Sequence, residues 1–157
     1  MSNIVIRRAV IDDLPSIVEV GQLFLREASG PYHITHPDPV AMTNMLLSVI
    51  QSSQSFIAIA VGDGKIIGGI CMIIMPMWFA PHIFIAKEEF WYIRPDARGG
   101  STAIRLLAFA EKLALNTGAH RIVMTSIADL RGESVTKMLL RRGYSLVEHL
   151  YVKKYEE

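Results

Sequence analysis

A chain of 157 residues, of which 51% are hydrophobic and 20% are charged, is long enough for one domain with a packed core. This composition excludes an intrinsically disordered protein, which would have few apolar residues and a large net charge. The 16 basic and 15 acidic residues give a net charge of +1, so the chain lacks the basic excess of a nucleic-acid-binding protein.

One apolar run, residues 66–81, covers 16 positions and is interrupted by two glycines and a proline. A membrane-spanning helix needs about 20 apolar residues, so we interpret this run as a buried strand and expect no membrane partner. Cys71 is the only cysteine and cannot form an internal disulfide, and Asp12 and Asp13 lie where a signal peptide would be apolar. These features favour a cytoplasmic protein.

The first third of the chain predicts one strand and two helices. Apolar and polar residues alternate over 4–9, which is typical of a strand. Asp12 is a good N-cap for an amphipathic helix over 13–28. A proline-containing loop over 29–39 separates it from a second helix, predicted from Pro39 or Val40 to about Gln51.

The middle of the chain predicts a hairpin and a further strand. Two β-forming segments, 56–61 and 65–75, flank Asp63-Gly64, which is a strong turn signal. Residues 76–81 are predicted to form an irregular connection. A fourth strand then ends at Ile93.

The last third predicts a helix from Ser101 to about Asn116, a strand over 121–127, a helix over 132–142 and a final strand over Tyr144–Tyr155. The order β-α-α-β-β-β-α-β-α-β predicts an α/β (α+β) fold, in which helices cover both faces of a mixed, mostly antiparallel sheet of six to seven strands. Because no repeat or linker divides the chain, we expect a single domain over residues 1–157.

The segment Arg98-Gly99-Gly100-Ser101-Thr102-Ala103 joins the fourth strand to the third helix. A turn of small residues at a helix N-terminus leaves backbone N–H groups free to bind an anion, usually a pyrophosphate. Arg98 can add a charge with bidentate reach to phosphate. The alternative is a tight strand–helix turn that binds nothing.

This order of elements, with that turn, resembles the GNAT superfamily of N-acetyltransferases over nearly the whole chain. The family's signature is Arg or Gln, two residues, Gly, one residue, then Gly or Ala; Arg98 and Ala103 hold its ends, and Ser101 replaces the central glycine. The resemblance implies acetyl-CoA as co-substrate. Its pyrophosphate would be held by the backbone N–H groups of Gly99, Gly100, Ser101, Thr102 and Ala103, and Ser101 is tolerated if its φ is negative.

The resemblance also implies that the fourth and fifth strands splay apart and that the pantetheine arm pairs with the free backbone edge of the fourth strand. That role falls on Tyr92 and Ile93, and extends to Arg94. The alternative makes Phe90 and Tyr92 ordinary core residues of a central strand. Both interpretations can hold, because the family's contacts there involve the backbone.

An acceptor amine must lose a proton before it attacks a thioester, and a carboxylate on the fourth strand is a common solution in the resembled family. Glu88 and Glu89 enter that strand, and alternation places Glu89 on the same face as Trp91 and Ile93. We therefore assign Glu89 as the candidate catalytic base. The alternative is that both glutamates are solvated at a strand end.

A second family signature is Asn, two residues, Ala, three residues, Tyr, then Gly-Phe, and the segment ending at Gly143-Tyr144 has its spacing. Gly132 replaces the Asn, and Leu139 stands where many members carry a tyrosine proposed to protonate the departing thiolate. The hydroxyl groups that lie nearby as substitutes belong to Ser134, Thr136 and Tyr144.

The function implied by the resemblance is acetyl-CoA-dependent transfer of an acetyl group to a primary amine of a small molecule or peptide, by direct attack. The alternatives are a non-catalytic acyl-CoA-binding or regulatory domain, favoured by Leu139, and a nucleic-acid-binding module, which the net charge opposes. His33 and His36 lack a suitably spaced third ligand, so we expect no metal site. The hydrophobic excess permits a homodimer, but no segment predicts its interface.

Overall fold

The computed structural model describes residues 3–28, 37–127 and 130–153. Its strands are β1 (Val5–Arg8), β2 (Phe56–Gly62), β3 (Lys65–Met77), β4 (Ala80–Ile93) and β5 (Arg121–Val123). Its helices are α1 (Leu14–Glu27), α2 (Pro39–Gln51), α3 (Thr102–Asn116) and α4 (Gly132–Arg141), with short 3-10 turns at Ile11–Asp13 and Pro95–Ala97. None of these helices is long and apolar enough to cross a bilayer.

The strands form one mixed sheet in the order β1-β2-β3-β4-β5. The first three pairings are antiparallel, and β4 pairs with β5 in parallel after the crossover through α3. The mixed, mostly antiparallel class is as expected, but the described residues hold five strands where six to seven were expected.

Both faces of the sheet are covered, since successive residues of β2 and β3, whose side chains point to opposite faces, are buried. Phe56 and Ala58 of β2 join a cluster with Leu106 and Leu107 of α3. Their neighbours Ile57 and Ile59, together with Cys71, pack against Ile17 of α1 and Leu46 of α2. A strand buried on both faces reads as a continuous apolar run, which explains why 66–81 resembles a hydrophobic segment.

The predicted final strand over Tyr144–Tyr155 is wrong for residues 144–153, which have no regular secondary structure; residues 154–157 lie outside the described part of the chain. Arg142 and Tyr144 both donate hydrogen bonds to Glu111 of α3, which holds the chain on that helix as it leaves α4. The segment beyond is exposed: Val147 is 81% and Tyr151 is 88% accessible. The segment is rich in apolar residues, but no strand edge in the described part of the chain pairs with it.

The predicted irregular connection over 76–81 is also wrong. β3 continues to Met77 and β4 begins at Ala80, so that Trp78 and Phe79 form the turn of one long hairpin. Pro76 lies in the ladder opposite Phe84, next to a shift in register. A missing N–H disturbs a ladder least at such an irregularity, which is why proline does not end the strand there.

The first helix begins one residue later than Asp12 suggested. A 3-10 turn over Ile11–Asp13 precedes it, and Asp13 is its N-terminal boundary residue. The Asp13 carboxylate accepts a bidentate pair of hydrogen bonds from Arg7 at 2.6 and 2.8 Å, and another from the Val10 N–H. The Arg7 hydrogen bonds lower the pKa of Asp13. Asp13 therefore links β1 to α1.

Candidate functional site

The strands β4 and β5 are paired over only a short segment and then diverge. They pair only where Ile85–Lys87 lies beside Arg121–Val123. One step further, the backbone N–H of Thr125 donates to a carboxylate oxygen of Glu88 at 3.0 Å. β4 then continues to Ile93 with no strand beside it on that edge among the described residues. The two strands therefore form a fork, with Glu88 at the point where they separate.

A cavity of about 290 Å³ opens beyond this fork, between the end of β4 and the N-terminal turns of α3 and α4. Of the eight residues predicted to hold the coenzyme, seven line it, and Ser101 does not. The wall opposite β4 comes from Leu130, Arg131 and the first turns of α4. Neither Glu88 nor Glu89 is part of the lining. The predicted turn and the predicted strand edge thus face the same space.

The turn before α3 has the geometry of an anion site. Gly99 has φ +98°, a left-handed conformation that favours glycine, whereas Ser101 has φ −82°, which any residue adopts. A Cβ added to Gly99 or Gly100 would meet no atom within 4 Å, so the surface above them is open. The first helical hydrogen bond runs from the Arg105 N–H to the Ser101 carbonyl, which leaves the preceding N–H groups unpaired within the helix.

The free edge of β4 presents the backbone of Ile93 and Trp91. The Arg94 N–H donates to Ile67 of β3 at 2.9 Å, so Arg94 faces the neighbouring strand. Backbone groups alternate in direction along a strand, which turns those of Ile93 and Trp91 towards the cavity and those of Tyr92 towards β3. Tyr92 is nevertheless one of the residues that line the cavity.

Three of the five N–H groups of Arg98 donate hydrogen bonds to protein oxygens. Its two terminal nitrogens donate to the two carboxylate oxygens of Glu27 at 2.6 and 2.7 Å, and its Nε donates to the Ile93 carbonyl at 2.8 Å. Its guanidinium lies over the Tyr92 ring, 5.2 Å from the centroid, and the Tyr92 hydroxyl donates to Glu27 at 2.7 Å.

This cluster of Glu27, Tyr92 and Arg98 shifts the pKa of each member, and the hydrogen bonds to Glu27 raise that of Arg98. The Arg98 hydrogen bonds lower the pKa of Glu27. Burial, and to a lesser extent the hydrogen bond to Glu27, raises the pKa of Tyr92 to about 12. Sequence reasoning missed Glu27, because it lies 71 positions before Arg98 and no motif connects them.

The two glutamates of β4 lie at a β-bulge. Met72 pairs with Glu88 but the next residue, Cys71, pairs with Phe90, so Glu89 is the extra residue. The bulge resets the alternation and brings Glu88 to the sheet face that also carries Trp91. Glu88 is only 8% exposed, and burial raises its pKa to about 7. Glu89 is exposed and pairs with Lys87 at 3.2 Å.

The start of α4 explains the departures from the second signature. Gly132 is buried, and a Cβ there would lie 2.7 Å from the Ile127 carbonyl oxygen, so only glycine fits. Leu139 is buried in the core formed with α3. Of the substitute hydroxyl groups, that of Tyr144 donates to Glu111 at 2.9 Å and that of Thr136 bonds to Ser126. Ser134 alone of the three lines the cavity.

His33 and His36, the histidines considered in predicting that no metal is bound, lie outside the described residues. Within the described ranges, no group of three or more His, Cys, Asp or Glu side chains is arranged to hold a metal ion.

Solved structures share the fold at low sequence identity. An aminoglycoside N-acetyltransferase, AAC(6')-Iy, in complex with CoA superposes with a TM-score of 0.76 at 16% identity, covering 99% of this chain and 96% of that chain. A ribosomal-protein-alanine N-acetyltransferase from Brucella melitensis biovar Abortus 2308 gives 0.74 at 15% identity, over 97% and 99% of the two chains. A putative acetyltransferase from Agrobacterium tumefaciens str. C58 gives 0.72 at 16% identity, over 96% and 99%.

No curated protein matches the sequence at a significant level. The family model described as the acetyltransferase (GNAT) family, however, matches residues 17–144, which include both helical layers, the fork and the turn before α3. The chain belongs to the GNAT family of acetyltransferases.

Proposed function

We propose that this protein transfers the acetyl group of acetyl-CoA to a primary amine. The observation that carries the proposal is that the open turn before α3 and the free edge of β4 border one cavity. Neighbours of the same fold include CoA complexes and N-acetyltransferases, which supports the assignment of the coenzyme.

The residues at the turn suit the pyrophosphate of coenzyme A. The absence of side chains at Gly99 and Gly100 permits close approach, and the free N–H groups at the start of α3 supply donors together with the helix dipole. The side chain of Arg98 is paired with Glu27, so the backbone carries this role.

The edge of β4 suits the rest of the coenzyme. We infer that the Trp91 and Ile93 backbones hold the pantetheine arm, as an added strand would be held. The thioester supplies an activated acetyl group when bound. The Ile93 N–H is directed towards the cavity and would donate to the carbonyl oxygen as negative charge develops on it.

The chemistry requires a neutral amine. Its nitrogen forms a bond to the acetyl carbon, the carbon–sulfur bond breaks, and the nitrogen gives up a proton. We keep Glu89 as a candidate base and add Glu88, because a buried carboxyl with a pKa of about 7 suits proton transfer near neutral pH. Ser134 can donate a hydrogen bond to the departing sulfur, which needs little help, since thiols have a pKa of about 8.5.

The first experiment is a calorimetric titration with acetyl-CoA, followed by a screen of amines in which released thiol is measured. Saturable binding near one site per chain and turnover of an amine are the expected results. Glu88→Gln and Glu89→Gln then identify the base, since loss of the base removes the acidic limb of the kcat/KM profile. A folded protein that fails to bind acetyl-CoA at millimolar concentration would refute the proposal.

A non-catalytic acyl-CoA-binding protein is the second candidate. It is favoured by the burial of Leu139 in the core and by the engagement of Tyr144 with Glu111 on α3. These positions leave no tyrosine among the described cavity-lining residues of α4. Tight acetyl-CoA binding without turnover of any amine in a broad panel, including aminoglycosides and peptides with free N-termini, would favour this function.

A further inference from the structure

We propose that Glu27 is a positioning residue for the coenzyme site. By pairing with Arg98, it holds the Arg98 Nε against the Ile93 carbonyl and thereby fixes the open end of β4. Arg98 then acts as a clamp on the strand rather than as a ligand for phosphate. The inference rests on the proposed function, because it concerns the binding of coenzyme A.

The contacts of Arg98 leave it little capacity for a second anion. Three of its N–H groups donate to protein oxygens within 2.8 Å, and its charge is neutralised by a bidentate carboxylate. The stacking on Tyr92 fixes the plane of the guanidinium, and only 22% of the side chain is exposed. A phosphate would have to displace Glu27 to gain a comparable pair of hydrogen bonds.

The Ile93 carbonyl needs this donor because of its place in the sheet. It lies on the free edge of β4, beyond the last residue of β5 that could supply an N–H. The other side of the strand is held firmly, since the Arg94 N–H bonds to Ile67 and a Cβ on Gly68 would lie 2.5 Å from the Tyr92 carbonyl oxygen. With its carbonyl bonded to Arg98, Ile93 presents its N–H to the cavity in one direction.

Glu27 in turn needs Arg98. It is the last residue of α1, where a carboxylate faces the negative end of the helix dipole and is unfavourable without a cation. The Tyr92 hydroxyl adds a third hydrogen bond to the same carboxylate. The cluster therefore joins the end of α1 to the strand edge that borders the coenzyme cavity.

Two substitutions separate a clamp from a phosphate ligand. Glu27→Gln leaves Arg98 charged but removes its partner, so a clamp predicts weaker binding of coenzyme A and a phosphate ligand predicts equal or tighter binding. Arg98→Lys keeps a charge that binds phosphate, but one ammonium lacks the planar fork that reaches Glu27 and Ile93 together. A clamp therefore predicts weaker binding for this variant too, whereas a phosphate ligand predicts little change.

The test is the Kd of coenzyme A, measured calorimetrically for the wild type, Glu27→Gln, Arg98→Lys and the double variant. We expect each single change to weaken binding about tenfold, as for loss of one charge-assisted hydrogen bond, and the double variant to be no weaker than either. Asp96→Asn is the matched control, because it removes a carboxylate from the exposed pair with Arg94 beside the same turn. It should change the Kd less than twofold.

A readout that does not depend on coenzyme A is the nitrogen-15 signal of the Arg98 Nε–H. It should exchange slowly with water in the wild type and in Asp96→Asn, and rapidly in Glu27→Gln. Failure of the wild type to bind coenzyme A, with a protected Nε–H, would refute the proposed function and leave the clamp geometry in place. Binding by the wild type with unchanged affinity in both single variants, or a rapidly exchanging Nε–H in the wild type, would overturn the clamp.

Discussion

The carboxyl group of Glu88 is buried at the fork between β4 and β5, which makes its replacement by glutamine a sensitive test of the site. Glutamine keeps the shape and an oxygen that can accept the Thr125 N–H, and removes only the ability to ionise. Burial raises the pKa from 4.5 in the unfolded chain to about 7 in the folded protein. The folded state therefore binds the proton more tightly than the unfolded state does.

The sign and size of the effect follow from this difference. Between these two pKa values the unfolded chain releases its proton while the folded protein keeps it, so the free energy of unfolding falls as pH rises. At about 1.4 kcal/mol per pKa unit, the loss amounts to about 3 kcal/mol, complete once the pH exceeds about 7. Below about pH 4 the stabilising contribution of the buried, protonated group is fully present.

The assay is urea unfolding followed by tryptophan fluorescence, at about pH 4 and about pH 8, for the wild type and Glu88→Gln. Between these two pH values, the free energy of unfolding of the wild type should fall by about 3 kcal/mol more than that of the variant. The variant should be the more stable protein at the higher pH. Glu89→Gln is the control, because it shows how removal of an exposed carboxylate from the same bulge changes the free energy of unfolding. Parallel pH dependences for the wild type and Glu88→Gln would refute the assignment of a proton to Glu88.

Three further predictions concern the turn, the thiol and the core. Gly100→Asp should weaken coenzyme A binding about tenfold by calorimetry, because it adds a carboxylate to the proposed anion site. Gly100→Asn, which adds a side chain of the same size without the charge, should bind within about threefold of the wild type. Equal losses of affinity in both variants would show that shape, and not charge, causes the effect. The Cys71 thiol is buried with its pKa raised to about 12, so a thiol reagent should label it only after unfolding, and rapid labelling of the native protein would contradict its burial. Leu106→Ala should lower the free energy of unfolding by about 2–5 kcal/mol in urea, because Leu106 is fully buried between α3 and the sheet, and a loss below about 1 kcal/mol would contradict that packing.

The turn before α3 was predictable because its physics is local. Glycine at a left-handed φ, small residues and a helix N-terminus are encoded within six consecutive positions, and seven of the eight residues predicted for the coenzyme line one cavity. The φ of Ser101 is −82°, which meets the condition stated for that position. Local sequence determines such a turn, since neither its backbone angles nor its free N–H groups depend on distant partners.

The geometry of the glutamates was not predictable by alternation alone. A strand of period two places Glu89, and not Glu88, on the face of Trp91. The bulge between Cys71 and Met72 inserts one residue and brings Glu88 to that face. No single residue in the segment predicts a bulge, because the bulge depends on the register between β4 and β3. Both glutamates therefore belong in the search for the base.

The prediction of a final strand was wrong for a related reason. Residues 144–153 have the apolar content of a strand, but a strand exists only where a partner edge receives it. The chain leaving α4 is held on α3 by the hydrogen bonds of Arg142 and Tyr144 to Glu111. These contacts join positions about thirty residues apart, and pattern reasoning does not reach them.

At Arg98, a contact between residues distant in sequence changes the role that the turn motif predicts for the side chain. From sequence, an arginine at the first position of the turn reads as a charge for phosphate. In the fold it meets Glu27, which the hydrophobic pattern of α1 places only as a polar residue at a helix end. A bidentate partner at 2.6 and 2.7 Å satisfies the charge before any ligand arrives. The proposed anion site would then depend on backbone N–H groups, whereas the arginine bonds to β4, where its Nε donates to the Ile93 carbonyl beyond the end of β5.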